Sequence, residues 1–384
     1  MNSSGKVYIT GTSAVLPNAP VDNDGIEGVL GMIAGKPSRA RRIVLRNNGI
    51  RQRHYAIDPV SGQATHSNAG LTAEAVRGLG SLIDIDCLAT GTSTPDQLMP
   101  NHGVMVHGEL GIPACEVAST AGICVAGVTA LKYAYMAVAC GMAKNAVATA
   151  SELVSPMLHA RNFAAESEYR VTELETHPEI AFEKDFLRWM LSDGAGAMLL
   201  QDAPRNEGLS LRIEWIDILS QADSMEVCMV AGGEKQADGS LQGWQMYPPG
   251  EWGARSIFAI KQDVRLLNEN VTYQTLGKSL QNAMTKRGLN ATGVDCFLPH
   301  MSSEYFRQPI ADCMAGLGFP VAPEKWFTNL QTRGNTGSAS IYIMLDELLK
   351  SGRLKAGDRL LCFVPESGRF TGSLIYLTAV DHAG

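Results

Sequence analysis

The chain has 384 residues, of which 45% are hydrophobic and 18% are charged, and its formal net charge is −7. This composition is typical of a compact α/β protein and excludes a disordered or fibrous chain, while the negative charge argues against nucleic-acid binding. The N-terminus lacks the apolar core of a signal peptide and no window approaches a membrane span, so we expect a cytoplasmic protein that does not bind membranes.

The first predicted element is a strand within KVYITGTSAVLP, residues 6–17. It is followed by a concentration of basic residues that stands out in an acidic chain: Lys36, Arg39, Arg41, Arg42, Arg46, Arg51 and Arg53. Guanidinium groups bind phosphates and carboxylates in bidentate geometry, so Arg42, Arg46 and Arg51 are candidates for binding a phosphorylated ligand or an acidic partner. A solvated basic face is the alternative explanation.

A second predicted strand, in IDCLATGTST from Ile85, precedes a long apolar run, AGICVAGVTALKYAYMAVACG, at residues 121–141. The run has no proline and one charge, Lys132, so it predicts a helix buried on nearly all sides with Cys124 in its first turn. A buried cysteine is more often an ordinary core residue. A helix N-terminus, however, places partial positive charge and free amides beside the sulfur and favours the thiolate.

The strand predicted in NAVATASELVS ends near Glu152, and the next strand, GAGAMLL, begins only at Gly194. The excursion between them, about residues 156–191, is long for a compact domain. We expect it to cover the substrate cavity as a lid or to form part of a subunit contact. A solvated helical insertion is the alternative.

The second part of the chain repeats this pattern of strands. The four strands predicted above, the opening one included, are matched in order by LRIEWIDILSQ, VDCFLPHMSS, DRLLCFVPESG and TGSLIYL. Matching strands even share a terminal glutamate, Glu152 in the first copy and Glu366 in the second. Similar strands in the same order predict a duplicated α/β unit. We place the two halves at residues 1–205 and 206–384.

Two further candidates lie in the second half: His300 follows the strand CFLP, and Asn335 lies in QTRGNTGSAS. Loops after matching strands meet at the ends of an α/β sheet, so Cys124, His300 and Asn335 are expected to lie close together. Histidine can stabilise a thiolate and donate to an oxyanion, and asparagine adds a neutral donor. Taken singly, each residue has a structural explanation: a core cysteine, a strand-end histidine and a turn-forming asparagine.

Motifs for other chemistries are absent. The eight cysteines form no CxxC pair and the eight histidines show no metal-ligand spacing, so neither a metal site nor a disulfide framework is predicted. The sequence also lacks a GxGxxG turn, a GxxxxGK[ST] loop and a GxSxG elbow, which disfavours nucleotide binding and serine-hydrolase chemistry.

Four segments together resemble the β-ketoacyl-acyl-carrier-protein synthase III class of condensing enzymes in the thiolase superfamily: NNGIRQRH, SDGAGAMLL, LPHMSS and RGNTGSASIYIMLDELLKSGRLKAGDRLL. The resemblance implies an α/β thiolase fold, whose two pseudo-symmetric halves give a five-layered αβαβα architecture. It implies that Cys124 is the acyl-accepting nucleophile and that His300 and Asn335 drive decarboxylation, without a metal or redox cofactor. Expected partners are acyl-carrier protein and/or coenzyme A thioesters and, because the duplicated halves leave a sheet edge, a second copy of the chain.

The final glycine-rich loop of that class reads PESGRFTGS here, with Arg369 where a small residue is usual. In this resemblance the amides of Cys124 and Gly368 form the oxyanion hole, and the basic residues Arg42, Arg46 and Arg51 suit a pantetheine phosphate or a carrier protein. The tryptophan that stacks on coenzyme A in bacterial type III enzymes has no counterpart, and Glu152 replaces the usual aspartate. These departures disfavour simple fatty-acid initiation from acetyl-coenzyme A.

The segment VLGMIAGKPSRARRIVLRNNGIRQRHYAID, with the glutamate of ASELVS, resembles condensing enzymes that make dialkylresorcinol precursors and related cyclohexanediones. By that resemblance the chain performs a Claisen condensation between an acyl group on Cys124 and a malonyl- or β-ketoacyl thioester. Glu152 would then be the base for a second, ring-closing condensation; a strand-end carboxylate that fixes a loop is the alternative. Rival functions are a type III synthase initiating fatty-acid synthesis, an acyltransferase on the same fold, and a non-catalytic subunit of a heterodimeric synthase.

Overall fold

A computed structural model describes residues 5–38, 41–80, 84–163 and 186–382. Its strands are β1 Tyr8–Val15, β2 Val21–Asp22, β3 Gln52–Arg53, β4 Cys87–Thr92, β5 Glu116–Ala121, β6 Ala146–Glu152, β7 Gly194–Gln201, β8 Ser210–Ser220, β9 Met229–Val230, β10 Gly233–Lys235, β11 Leu241–Gly243, β12 Lys261–Gln262, β13 Cys296–Pro299, β14 Arg359–Glu366 and β15 Thr371–Val380. Its α-helices are α1 Ile26–Leu30, α2 Arg41–Asn48, α3 Asn68–Arg77, α4 His102–Leu110, α5 Ala126–Ala139, α6 Ser155–Leu158, α7 Val264–Val271, α8 Lys278–Arg287, α9 Arg307–Gly316, α10 Leu330–Arg333 and α11 Ser340–Lys350.

Nine of these strands form one sheet in the order β13-β14-β15-β8-β1-β7-β6-β4-β5. The sheet consists of two copies of the same arrangement. In the first, β1-β7-β6 are antiparallel neighbours and β6-β4-β5 are parallel. In the second, β8-β15-β14 are antiparallel and β14-β13 are parallel, and Trp326 bridges Phe297 in parallel where the first copy has β5. The copies are joined where β1 pairs with β8 at Tyr8 and Ile9.

Helices α5 and α11 lie between the two half-sheets, because one hydrophobic core contains residues of both helices and of strands from both halves. Along β6 the side chains alternate: Ala148 and Ala150 belong to this middle core, whereas Val147 packs with α3 on the outer face. Helices α7, α8 and α9 cover the outer face of the second half. The result is five layers in the order αβαβα, so the fold class predicted from the sequence is confirmed.

Glycine allows the head of α5 to approach the sheet closely. A Cβ at Gly91 would lie 2.4 Å from the Ala126 carbonyl oxygen, and one at Gly127 would lie 2.6 Å from the Ala150 Cβ. Any side chain at either position would push the helix away from β4 or β6. The turn that carries Cys124 is therefore fixed against the ends of these strands.

The boundaries differ in detail from those predicted. Helix α5 begins at Ala126, so Cys124 lies in the turn before the helix rather than in its first turn. The predicted division at residues 205 and 206 falls in the connection between β7 and β8 and stays a prediction. Most of the predicted insertion, residues 164–185, lies outside the described residues. In the part of the chain that the structure describes, no helix combines the length and the apolar character needed to cross a membrane.

Candidate active site

A cavity opens beside the head of α5 and is lined by residues from both halves of the chain. Cys124, Glu152, His300 and Asn335 all line it. The rest of its wall is mainly apolar, including Leu187, Met190, Leu267, Val271, Met301 and Phe306. The fold thus brings together the candidate nucleophile and the two candidate hydrogen-bond donors predicted from the sequence, next to a surface suited to a hydrocarbon chain.

Cys124 is half-buried in the turn that connects β5 to α5. The turn starts at Gly122, whose φ of +155° lies in the region that favours glycine. The amides on either side of Cys124, those of Ile123 and Val125, both donate to Oε2 of Glu366, at 3.0 and 3.2 Å. A carboxylate from the second half of the chain therefore occupies the first free amides at the head of the helix.

This arrangement reverses the expected ionisation of the nucleophile. Burial, followed by the charges of Glu366 and Glu152, raises the pKa of the Cys124 thiol well above its usual value. The sequence predicted a thiolate because a helix N-terminus favours negative charge. That expectation is wrong for this structure, because burial disfavours the charged form of the thiol and Glu366 also places a negative charge beside it. The site therefore favours the thiol form of Cys124 over the thiolate.

His300 follows β13, and its backbone amide donates to the Phe363 carbonyl at 2.8 Å. The side chain is only 2% exposed, and its Nδ1 has no hydrogen-bond partner among the described residues. Burial lowers the pKa of His300 to about 4, so the ring is neutral near pH 7. A neutral imidazole does not form an ion pair with a thiolate, but it can donate one N–H to a substrate oxygen.

Asn335 is held by its own turn. Its Oδ1 accepts the amide of Gly337 at 3.0 Å, and its backbone amide donates to the Met190 carbonyl at 3.0 Å. Since the side-chain oxygen is engaged, the Nδ2 group is the part of Asn335 left to donate into the cavity. His300 and Asn335 thus supply two neutral donors, the arrangement that stabilises an enolate or a tetrahedral oxyanion.

Glu152 ends β6, lines the cavity and is 3% exposed. Its Oε2 accepts the hydroxyls of Ser93 and Thr94, the latter at 2.9 Å, and its Oε1 accepts the amides of Ser93 and Ser338, each at 3.2 Å. Burial raises the pKa of this carboxyl, and the hydrogen bonds oppose that rise. Glu152 therefore fixes two loops and also borders the cavity, and its role as a base stays a prediction.

The turn between β14 and β15 differs from what the sequence suggested. Ser367 lines the cavity, whereas Gly368 does not. The Gly368 carbonyl accepts the amide of Cys228 at 2.9 Å, and a Cβ at Gly368 would lie 2.9 Å from the Ile123 side chain. Gly368 therefore packs against the turn that carries Cys124, and its role in an oxyanion hole stays a prediction.

The three candidate arginines are all exposed: Arg42 and Arg46 lie on α2, and Arg51 follows it. They do not line the cavity. No ion pair of theirs is present among the described residues, although α2 packs on the segment Glu304–Phe306, whose Phe306 is a cavity residue. Two neighbours in the basic run serve the structure instead, because Arg41 pairs with Asp24 and Glu27 and the buried Arg53 donates to the Trp189 carbonyl. Arg39 lies outside the described residues.

The described end of the predicted lid reaches the site, because Leu187, Met190 and Leu191 all line the cavity. Sequence reasoning did not assign a role to Glu366 or to the hydroxyl residues around Glu152. The sequence did contain a hint of Glu366, because it ends a strand that matches the strand ending in Glu152. The repeat alone does not show that the Glu366 carboxylate contacts the turn that carries Cys124.

Residues 284–377 match the family model described as 3-oxoacyl-[acyl-carrier-protein] synthase III C terminal. The beta-ketoacyl-[acyl-carrier-protein] synthase III of Bradyrhizobium sp. is 27% identical over 332 residues, which cover 86% of this chain and 89% of that protein. The enzyme of the same name from Methylococcus capsulatus is 24% identical, with 92% of this chain and 93% of the relative covered.

Solved structures show the same fold. AbyA1, a tetronic acid condensing enzyme, has a TM-score of 0.70 and 20% identity, with 97% of this chain and 99% of that chain covered. Xanthomonas campestris OleA, solved with bound lauric acid and lauroyl-CoA, also has a TM-score of 0.70 and 20% identity, with 98% and 99% covered. The likeness therefore extends over nearly the whole of both chains.

Proposed function

Because the chain is a condensing enzyme of the 3-oxoacyl-acyl-carrier-protein synthase III type, we propose that it joins an acyl group carried on Cys124 to a malonyl- or β-ketoacyl thioester. The observation that carries this proposal is one cavity that combines a cysteine at a helix head, two neutral donors and apolar walls. Such a set provides covalent capture of an acyl group and stabilisation of an enolate in the same place.

In the loading step the sulfur of Cys124 attacks the thioester carbonyl, a carbon–sulfur bond forms and the donor thiol leaves. The amides of Ile123 and Val125 donate to Glu366, whereas the amide of Cys124 itself makes no hydrogen bond to Glu366. We assign the Cys124 amide to the tetrahedral oxyanion, with the turn at Ser367 and Gly368 as the source of the second donor.

In the condensing step the second thioester places its carbonyl oxygen between His300 and Asn335. Their N–H groups stabilise the enolate that forms when the unit loses carbon dioxide or, for a β-keto unit, a proton. The enolate carbon then attacks the acyl carbonyl on Cys124, and the carbon–sulfur bond breaks to return the cysteine. Neither donor needs to be charged for this role, in agreement with the lowered pKa of His300.

The apolar wall supports a hydrocarbon acyl group as the unit held on Cys124, and OleA, a structural neighbour, is solved with lauric acid and lauroyl-CoA bound. Coenzyme A and acyl-carrier protein are the proposed donors, the latter because the synthases similar to this chain are named for it. The exposed Arg42, Arg46 and Arg51 lie on or just after α2, which packs on the segment that contains the cavity residue Phe306, and they supply positive charge for an acidic carrier or a pantetheine phosphate.

We further propose that a second condensation closes a dialkylresorcinol- or cyclohexanedione-type ring. Product analysis with purified protein and paired acyl and β-ketoacyl thioesters tests this function. A cyclic product supports it. An open β-keto product from acetyl-coenzyme A and a malonyl thioester identifies a synthase that initiates fatty-acid synthesis, and an ester or amide product identifies an acyltransferase.

Glu152→Gln is expected to stop ring closure but not the first condensation. Closure requires removal of a proton from carbon after the carboxylate of the extender has been lost, and a carboxylate with a raised pKa can accept that proton whereas an amide cannot. Glutamine keeps one oxygen for the amides of Ser93 and Ser338, and the two hydroxyls can turn to accept from its NH₂ group. Mass spectrometry of the products should show an open-chain or lactonised compound, and unchanged cyclic product would remove Glu152 from the mechanism.

We propose that the chain forms a homodimer. Among the described residues no strand pairs with the outer edge of β5, which ends the sheet, and several of its side chains are exposed. The loop before α4 adds exposed apolar side chains, with Leu98 69% and Met99 85% exposed, and α4 packs on β5. An unpaired edge beside exposed apolar surface is typical of a subunit contact.

Sedimentation at micromolar concentration should therefore show a dimer, and Met99→Glu should weaken it by placing a charge in the contact. Met246→Glu is the matched control. Met246 is 72% exposed, but it follows β11, which is not a strand of the nine-stranded sheet. A monomer for the unmodified protein, or equal dissociation of the two variants, would contradict this assignment.

A further inference from the structure

Two carboxylates lie near the sulfur of Cys124, and only one of them has its oxygens fully engaged. Glu152 and Glu366 end the matching strands β6 and β14, so the repeat places them on two sides of the same turn. Glu152 accepts four hydrogen bonds that are shared between both of its oxygens. Glu366 accepts two, and both go to Oε2.

The position of Glu366 is defined by the residues it binds. Its Oε2 accepts the amides immediately before and after Cys124. The residues on either side of it, Pro365 and Ser367, line the cavity, whereas Glu366 itself lies behind that lining, against the turn that carries Cys124. Its Oε1 receives no hydrogen bond within the described ranges. Glu366 is half-buried, and its Oε1 is not among the buried polar atoms that lack a partner. One oxygen thus anchors the carboxylate at the nucleophile turn, and the other is left with free lone pairs.

The chemistry of loading requires such a group. The thiol of Cys124 must lose its proton to attack a thioester, and a buried neutral histidine is a weak base. Among the described residues, Glu366 has the largest charge effect on the Cys124 thiol, and burial raises the pKa of Glu366 itself. A carboxylate whose pKa is raised towards neutrality accepts protons more readily.

We propose that Glu366 is the proton acceptor for Cys124 during acyl loading, an inference that rests on the proposed function of Cys124 as the acylated nucleophile. As the Sγ–carbon bond forms, the thiol proton moves to Oε1 of Glu366. When the donor's carbon–sulfur bond breaks, Glu366 returns this proton to the departing thiolate. The step consumes one thioester and one thiol and yields one of each, and Glu366 ends as the carboxylate.

Glu366→Gln separates this role from a purely electrostatic one, because glutamine keeps an oxygen for the two amides but accepts no proton. Removal of the charge lowers the pKa of the thiol, so alkylation of Cys124 by iodoacetamide at pH 7 should become about tenfold faster. Loading from an acyl-coenzyme A should become about 100-fold slower, the effect of losing a general base. Peptide mapping assigns both reactions to Cys124.

Glu152→Gln is the matched comparison, because it removes the other carboxylate that raises the same pKa. Alkylation and acyl loading of Cys124 are both expected to be faster in Glu152→Gln than in the unmodified protein. If Glu366→Gln also loads as fast as the unmodified protein or faster, Glu366 acts through its charge alone and the proposal is wrong. Loading that persists in Cys124→Ala would instead contradict the proposed function, so the two failures are distinguished.

The pH dependence of loading by the unmodified protein gives a test that needs no variant. Because burial raises the pKa of Glu366, its deprotonation should make the loading rate rise and then level off at a pH above the usual range for a carboxyl group. A rate that instead climbs continuously with thiol ionisation up to alkaline pH would overturn the proposal, even if Glu366→Gln does not fold.

Discussion

Cys124→Ala is expected to abolish the mass increase that an acyl thioester produces on the protein. Cys124 is the thiol that lines the cavity and lies at the head of α5, and alanine leaves no atom there that can form an acyl bond. Intact-mass spectrometry after mixing with an acyl-coenzyme A measures the effect, which should be complete.

The matched control is Cys140→Ala, because Cys140 is an exposed thiol at the other end of the same helix. This variant should load at the rate of the unmodified protein. Cys115, which is half-buried, provides a second comparison. Acylation that remains in Cys124→Ala and maps to either of these cysteines would show that the nucleophile has been assigned wrongly.

His300→Ala and Asn335→Ala should still become acylated but should each lose carbon–carbon bond formation by about 10²- to 10³-fold. The two side chains donate to an oxygen that gains charge only in the condensing step, so their loss matters little for loading. The measurement is the rate of product formation from protein already acylated on Cys124, with His382→Ala, an exposed residue near the C-terminus, as the control.

Asn335→Asp gives a sharper version of this experiment. Aspartate keeps the oxygen that accepts the Gly337 amide, so the turn is preserved, but it removes the donor and places a negative charge near the enolate. It should therefore condense no faster than Asn335→Ala. If His300→Ala and Asn335→Ala both condense at the rate of the unmodified protein, enolate stabilisation takes place elsewhere.

The architecture was accessible from the sequence because it is repeated. Apolar runs that end in polar loops located β4, β6 and their counterparts β13 and β14, and the common order of these runs predicted the two equivalent half-sheets. The proximity of Cys124 to His300 and Asn335 could be predicted because loops that follow matching strands lie together at one end of an α/β sheet. These features depend on patterns that lie within single segments.

The electrostatics of the site were not accessible in the same way. The sequence indicated a thiolate at a helix head, but the amides there bind Glu366, which is separated from Ile123 by 243 positions in the chain. The neutral state of His300 follows from its burial among elements of both halves, which no local pattern reports. The free Nδ2 of Asn335 depends on a turn whose geometry becomes visible only once the Gly337 amide is placed.

A single-turnover experiment tests directly whether the acyl group on Cys124 is joined to the second unit by a carbon–carbon bond. The protein is first acylated on Cys124 with a labelled acyl-coenzyme A, freed of excess donor, and then mixed with a malonyl- or β-ketoacyl thioester. The label should leave the protein only after this addition and should appear in a ketone joined to the second unit by a new carbon–carbon bond. Release of the label as a free acid at the same rate without the second thioester, or its transfer to an alcohol or amine, would contradict it.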